Sequence, residues 1–241
     1  MEKDQLHPYK KNRPLARGDV TPLLAVTTSI FLLAVGLGIS MAISPAFFVI
    51  SLIFILLQYS YSFFLKKKAI MDIMGIALFF IIRAFAGEIA SGYHLPVWIM
   101  LAVIFLSLFI ASGKRRSELY TSGRKSRRAL EGYNRSLLSF YSSIFAVSTL
   151  IAYALFTFFE QPIRFEGLIH NFLLENYPNA LDRKWYMISI LPVIFGIMRY
   201  GQIIFEMQEG ERPERVIATD IPLLMAVMTW GLIMVTIIYV L

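Results

Sequence analysis

The first feature of this sequence is a set of short segments whose charged side chains suit phosphate chemistry. Residues 4–18 read DQLHPYKKNRPLARG, in which Asp4 is followed by Lys10 and Arg13, one helical turn apart. Lysine and arginine donate charge-assisted hydrogen bonds to phosphate oxygens, and a carboxylate holds the divalent cation that accompanies them. The segment therefore predicts a phosphate-binding loop. Its composition alone favours a simpler interpretation, a basic segment that orients a membrane protein and contacts anionic lipid.

A second group of candidates lies between Tyr61 and Gly87, with Lys66 near its start. Asp72 and Arg83 are eleven residues apart, which returns to nearly the same helix face after three turns. We expect both to face the protein interior, about 16 Å apart along the helix axis and so not in one ion pair. An ionisable residue at membrane depth predicts a functional site, and the alternative is a structural pairing with another helix.

The third candidate segment, residues 113–136, is basic and is expected to be a loop. It opens GKRRSEL, in which Lys114 and Arg115 are cations and Glu118 is the carboxylate. Closely spaced cations favour direct contact with phosphate oxygens. The distal cations of this segment, at 124–128, are expected to orient the chain and contact lipid.

Two charged residues flank the last apolar run. Arg199 is expected near a helix C-terminus at the rim of the site, where the helix dipole favours a cation. Asp220 directly precedes the run and is predicted to be a helix N-cap rather than a metal ligand, since aspartate is favoured there on local grounds.

A strongly apolar composition determines which elements must position these residues. Of the 241 residues, 57% are hydrophobic, and the mean hydropathy is +0.64. A helix needs about 20 apolar residues to cross a hydrocarbon core of about 30 Å. Pro192 falls within one such run and predicts a kink. The runs predict an all-α, polytopic membrane helix bundle with seven spans, at Thr21–Met41, Ser44–Phe64, Ile70–Ala90, Leu95–Ser112, Leu137–Phe159, Trp185–Phe205 and Ile221–Leu241.

Lysine and arginine are concentrated in the segments that this topology places on one side of the membrane. By the positive-inside rule, the N-terminus and the basic loops are expected on the cytoplasmic side of the cell (inner) membrane. The net charge of +7 follows from this bias, and no nucleic-acid partner is expected. The chain has no cysteine, so any bound metal must have oxygen ligands.

The order of residues in the first segment resembles the end of the first Asp-rich motif of the UbiA superfamily of membrane prenyltransferases. That motif runs NDxxDxxxD and continues xxHPxKxxRPxAxG, a continuation matched in register by Asp4, His7, Pro8, Lys10, Arg13, Pro14, Ala16 and Gly18. The family fold has nine membrane helices, with this motif at the end of the second. The resemblance implies one UbiA-like domain over residues 1–241 that lacks its first two helices, with residues 1–20 as a motif remnant. We therefore expect an N-terminally truncated chain.

Later residues resemble the decaprenyl-phosphate phosphoribosyltransferase branch of that superfamily. The branch pattern is carried by Tyr61, Leu65, Lys66, Asp72, Arg83, Ala86 and Gly87, by the GKRxxEL sequence from Gly113, and by Arg199, Tyr200, Gly210, Pro213, Glu214 and Asp220. The resemblance implies Mg²⁺-dependent transfer of phosphoribosyl from phosphoribosyl pyrophosphate to a polyprenyl phosphate of decaprenyl type. In relatives the product feeds cell-wall biosynthesis.

The same resemblance implies a role for each candidate residue. The expected catalytic residues are Asp4, Lys66 and Asp72. Asp4 would also bind Mg²⁺. The phosphates of the donor would contact Lys10, Arg13, Lys114 and Arg115. The acceptor phosphate or the ribose would contact Lys66, Asp72 and Arg83, and Tyr61, Glu118 and Arg199 complete the expected substrate-binding set.

Two other functions stay open at this point. The first is transfer of a prenyl group to an aromatic or quinone precursor, but it normally needs a second Asp-rich motif, where this sequence has Lys114 to Arg116. The second is a truncated, non-catalytic lipid-binding membrane protein, since one remaining motif carboxylate is a poor magnesium site. The oligomeric state is also open, with a homo-oligomer as one alternative.

Overall fold

The computed structural model describes residues 14–121, 128–160, 172, 175–177, 183–207 and 210–239. Regular structure within these ranges is helical, with short 3₁₀ segments at Leu65–Lys67 and Trp185–Ser189 and a π-helical segment at Ile203–Met207. The α-helices are α1 (Pro14–Arg17), α2 (Pro22–Ile43), α3 (Pro45–Phe63), α4 (Met71–Ser91), α5 (Val97–Thr121), α6 (Arg128–Glu131), α7 (Arg135–Phe159), α8 (Ile190–Gln202), α9 (Pro213–Thr219) and α10 (Ile221–Tyr239).

Seven helical stretches among the described residues are long and apolar enough to cross a membrane. They confirm the predicted all-α class and the seven predicted spans. Two of them continue through non-α turns: α3 runs on into the 3₁₀ turn that ends at Lys67, and α8 lies between the 3₁₀ and π-helical segments. The chain is a multi-pass membrane protein.

Local sequence signals set where the helices begin. Pro22 and Pro45 occupy the first helical position, where a missing N–H costs no hydrogen bond. The hydroxyls of Thr21 and Ser44 cap these two helices by accepting from backbone N–H groups three residues on. Asp220 caps α10 in the same way, because its Oδ1 accepts from Leu223 N at 2.9 Å, which confirms its predicted role.

The helix α5 lies at the centre of the packing and contacts α4 on one side and α7 on another. Ala111 packs in a cluster with residues of α4, α6 and α7. Phe109 packs with residues of α8, α9 and α10, and Ala102 packs with residues of α7 and α10. Small residues let membrane helices approach closely, and α5 carries several along its buried surface. A polar residue on α5 can therefore reach several neighbouring helices.

The predicted end of α5 is corrected by the structure. The helix α5 does not end at Ser112 but continues to Thr121, so the start of the predicted loop 113–136 is helical. Its charged residues stay helical because neighbouring helices supply partners for them. Pro192 is the third residue of α8, directly after a 3₁₀ segment, so its missing N–H falls in the first turn of that helix, and the predicted kink stays a prediction.

Candidate functional site

A buried ion pair between α4 and α5 forms the centre of the candidate site. Asp72, in the first turn of α4, is 0% exposed, and Arg115, near the end of α5, is 1% exposed. The Oδ2 of Asp72 and the Nε of Arg115 lie 2.5 Å apart, off the N–H direction, as an ion pair without a hydrogen bond. Loss of Arg115 would leave the carboxylate of Asp72 buried without its counter-charge, which is strongly destabilising.

Tyr133 holds the opposite oxygen of the same carboxylate. It lies just before α7, is 2% exposed, and its hydroxyl donates to Oδ1 of Asp72 at 2.7 Å. The N–H of Ile73 donates to the same oxygen at 2.9 Å. Burial, and next the hydrogen bond to Asp72, raise the pKa of Tyr133 well above its usual range, so it stays a donor.

The hydroxyl of Tyr133 also accepts a hydrogen bond from the N–H of Ile70 at 2.5 Å. Ile70 has φ 67° and ψ −50°, and the N–H of Met71 donates to the carbonyl of Ala69 at 2.8 Å. This is a γ-turn with positive φ, a rare and strained conformation for a β-branched residue. The strained turn places Asp72 in the first turn of α4, and Tyr133 holds both the turn and the carboxylate.

Arg115 also binds two predicted residues beyond Asp72. Its Nη1 donates to Oε2 of Glu118, one turn further along α5, and its Nη2 donates to the hydroxyl of Tyr61 at 3.0 Å. The ring of Tyr61 lies against Gly75 of α4, where a Cβ atom would come 2.6 Å from the ring carbon Cδ2. Glycine at 75 is therefore needed for the tyrosine to reach Arg115.

Two predicted lysines lie near this cluster in the chain. Lys66 is in the 3₁₀ turn after α3, half-buried, and its Nζ donates to the hydroxyl of Ser62 at 3.2 Å. Lys114 directly precedes Arg115 on α5 and is also half-buried. The structure thus brings Tyr61, Asp72, Arg115 and Glu118 into contact, with Lys66 and Lys114 on the same two segments.

The structure places Arg83 away from this cluster and corrects its predicted burial. Asp72 is buried, but Arg83 is exposed, with its guanidinium over the rings of Phe54 at 5.5 Å and Phe80 at 5.4 Å. It lines a largely apolar cavity of about 340 Å³ between α2, α3 and α4. The spacing does return to nearly the same side of the helix, but the rings of Phe54 and Phe80 attract the guanidinium away from the interior.

Arg199 is engaged in a separate ion pair at the end of α8. Its Nε donates to Oδ1 of Asp220 at 3.1 Å and its Nη2 to Oδ2 at 2.7 Å. Its Nη1 donates to Gln202 at 2.7 Å. Hydrogen bonds from Arg199 hold the pKa of the Asp220 carboxyl below its usual range. In this arrangement the pair joins α8 to the start of α10.

The remaining predicted residues, Asp4, Lys10 and Arg13, lie outside the described residues, as does most of the distal basic run at 124–128. Within the described part of the chain, no three acidic or histidine side chains converge as metal ligands. The carboxylates that meet near the end of α5, those of Asp72 and Glu118, both pair with Arg115. That donor set does not suit Mg²⁺, so the described cluster is not the predicted magnesium site.

Sequence reasoning missed Tyr133 and Gly75. Tyr133 is separated from Asp72 by 61 residues, and no motif includes it. One signal could have found it: a carboxylate predicted to be buried needs donors, and a tyrosine next to a predicted helix start is a good one. Gly75 carries no local turn signal, because its role is only to make room for Tyr61.

Comparisons with known proteins agree with this fold. A family model described as "UbiA prenyltransferase family" matches residues 1–169. Decaprenyl-phosphate phosphoribosyltransferase of Mycolicibacterium smegmatis is 32% identical over 95% of this chain and 70% of that protein. The protein of the same name from Corynebacterium glutamicum is 30% identical over 100% of this chain and 69% of that protein. The solved structure of a UbiA homolog from Archaeoglobus fulgidus has a TM-score of 0.63 at 19% identity, over 96% of this chain and 76% of that one, and shows the shared fold.

Proposed function

Because the chain belongs to the UbiA prenyltransferase family, we propose that it transfers phosphoribosyl from phosphoribosyl pyrophosphate to a polyprenyl phosphate of decaprenyl type. The names of the curated relatives support decaprenyl phosphate as the acceptor and phosphoribosyl as the transferred group. The observation that carries the choice is the pairing of Arg115 with Asp72 and Glu118. A diphosphate site with two metal ions needs free carboxylates at this end of α5. Here both carboxylates form ion pairs with Arg115 and are not free to bind metal.

The reaction needs no strong general base. An ionised oxygen of the acceptor phosphate forms a bond to C1 of the ribose, the bond between C1 and the pyrophosphate oxygen breaks, and the electron pair leaves with pyrophosphate. No proton has to move. The task of the protein is to orient the two substrates and to stabilise the negative charge that develops on the leaving group.

The proposed roles follow from position. Lys66 binds the acceptor phosphate from the turn after α3, and Lys114 binds the donor phosphates from α5. Asp72 and Arg115, which form an ion pair, orient Glu118 and Tyr61 toward the substrates. Arg83 is about 16 Å along α4 from Asp72 and does not reach the same reacting atoms.

The residues of the first motif keep their proposed roles, although they lie outside the described residues. Lys10 and Arg13 bind the donor phosphates, and Asp4 is the proposed ligand for Mg²⁺. When bound, the ion would neutralise charge on the pyrophosphate. None of the roles assigned to the described residues depends on it.

A direct test is to offer radiolabelled phosphoribosyl pyrophosphate and decaprenyl phosphate to membranes that contain the protein. We expect a lipid-linked radioactive product. The Asp72→Asn variant should lower kcat/KM by about tenfold or more, because it removes the charge that pairs with Arg115. Glu88→Gln is the matched control, since Glu88 is at the opposite end of α4 and contacts His94.

Two other results would overturn the proposal. Label from a prenyl diphosphate that appears instead in an aromatic acceptor would identify a prenyltransferase. Absence of product in both assays, from protein shown to be folded by its thermal transition, would favour a non-catalytic lipid-binding protein.

The proposed orientation places the 3₁₀ turn after α3 on the cytoplasmic face of the cell membrane, and Arg183, just before the sixth span, on the other. The chain lacks cysteine, so a single introduced thiol reports the side of the membrane on which it lies, and no native thiol reacts with the reagent. Lys67→Cys should react with a membrane-impermeant maleimide only after the cells are opened, whereas Arg183→Cys should react in intact cells. The reverse pattern would contradict the orientation.

A further inference from the structure

Arg116 follows Arg115 directly but faces a different neighbour. One residue along an α-helix turns the side chain by about 100°, which directs Arg116 toward α7 and the π-helical segment. Its Nε donates to the hydroxyl of Ser139 at 3.1 Å, and its Nη1 donates to the carbonyl of Ile204 at 2.5 Å. Arg116 is only 6% exposed. It was not among the predicted site residues, and it falls on a variable position of the GKRxxEL pattern.

Arg116 lacks a carboxylate partner among the described residues, unlike Arg115 and Arg199. Arg115 pairs with Asp72, and Arg199 pairs with Asp220. A buried guanidinium is normally paired, because taking the charge out of water is costly. The Nε and Nη1 of Arg116 are bound to Ser139 and Ile204, whereas its Nη2 makes no hydrogen bond to the described residues and is left to donate to a ligand.

A second cation lies beside Arg116. The guanidinium of Arg135, at the start of α7, lies 4.1 Å from the ring centre of Tyr120, and that of Arg116 lies 5.0 Å from the same ring. Arg116 also stacks on Phe205 at 4.2 Å. Aromatic rings attract guanidinium groups but do not neutralise them. The two guanidinium groups beside the ring of Tyr120 therefore form a positively charged site, and a bound anion would neutralise it.

We propose that Arg116, Arg135 and the hydroxyl of Ser139 bind a phosphate group, at a site separate from the Asp72–Arg115 pair. Arginine suits this ligand, because its planar fork offers paired N–H donors to phosphate oxygens. A carboxylate fits less well, since it offers a single negative charge to two adjacent cations. The phosphate belongs either to a soluble phosphorylated compound or to a lipid headgroup, and both present the same terminal oxygens.

The site is tested by binding, independently of any transfer activity. The full chain is placed in phosphatidylcholine nanodiscs, and [³²P]phosphate binding is measured by equilibrium dialysis. Retention of phosphatidic acid is measured in parallel by native mass spectrometry. We expect Arg135→Gln to lower the binding affinity for one of these two probes by about tenfold or more, as for loss of a hydrogen bond between charged groups. Arg183→Gln, which removes an exposed arginine far from the site, should bind both probes like the unchanged chain.

The two arms identify the source of the phosphate. A loss confined to free phosphate assigns a soluble ligand, and a loss confined to phosphatidic acid assigns a lipid. Arg116→Gln should show the same loss, but it also removes a contact to the π-helical segment, so exposed Arg135 carries the test if that variant fails to fold. The proposal is overturned if the unchanged chain binds neither probe, or if Arg135→Gln binds both normally. Neither result bears on phosphoribosyl transfer, which is assayed separately.

Discussion

Replacing Tyr133 by phenylalanine tests whether the candidate site depends on the contacts made by one hydroxyl. The change removes the donor to Oδ1 of Asp72 and the acceptor for the N–H of Ile70, and it leaves the ring in place. A hydrogen bond to a charged group contributes about 1.5–3 kcal/mol. Ile70 is exposed, so water can replace the partner of its N–H at little cost. We therefore expect the free energy of unfolding to fall by about 2–3 kcal/mol.

The assay compares the thermal transition and the transfer kinetics of Tyr133→Phe with those of Tyr141→Phe. Tyr141 packs against the same buried cluster, but its hydroxyl has no hydrogen bond among the described residues. If Tyr133 holds the site, the Tyr133→Phe change should lower kcat by a larger factor than it raises KM, because the substrates still bind while Asp72 is displaced. If both variants lose the same stability and keep the same kcat, the hydroxyl does not position the carboxylate.

Two further predictions concern packing and pH. Gly75→Ala should lower the melting temperature and the transfer rate together, because its Cβ would press on the ring of Tyr61, whereas Gly87→Ala, with open space around it, should change neither. The bond between Arg199 and Asp220 lowers the pKa of this carboxyl, so its stabilisation is present above the usual aspartate pKa of about 3.9 and is lost as pH falls through the lower folded value. A melting-temperature series below about pH 5 should therefore show a steeper acid loss in the unchanged chain than in Asp220→Asn. Equal slopes would contradict this linkage.

The helices could be predicted from the sequence because their signals are local. A run of about 20 apolar residues is sufficient to identify a span. Proline at the first position, a hydroxyl before Pro22 or Pro45, and Asp220 before α10 mark starts that the structure confirms. These features need no knowledge of which helix lies beside which.

The candidate site could be predicted only in part, because its geometry depends on distant partners. Arg115 and Arg116 look like loop residues by composition, yet both lie in the last turns of α5. Their partners include Asp72 of α4 and the carbonyl of Ile204, 88 residues further on. No periodicity within the segment reports such contacts. The burial predicted for Arg83 was wrong for a related reason, because aromatic rings on α3 and α4 decide where it points.

The unbroken course of α5 has a mechanical consequence. Arg115 and Arg116 are joined by one peptide bond, yet one is fastened to α4 and the other to α7 and the π-helical turn. Movement of the end of α5 would therefore disturb the contacts to α4 and those to α7 at the same time. If a ligand beside Arg116 changed the affinity at the Asp72 side, the ligand at the Asp72 side would change the affinity beside Arg116 by the same factor.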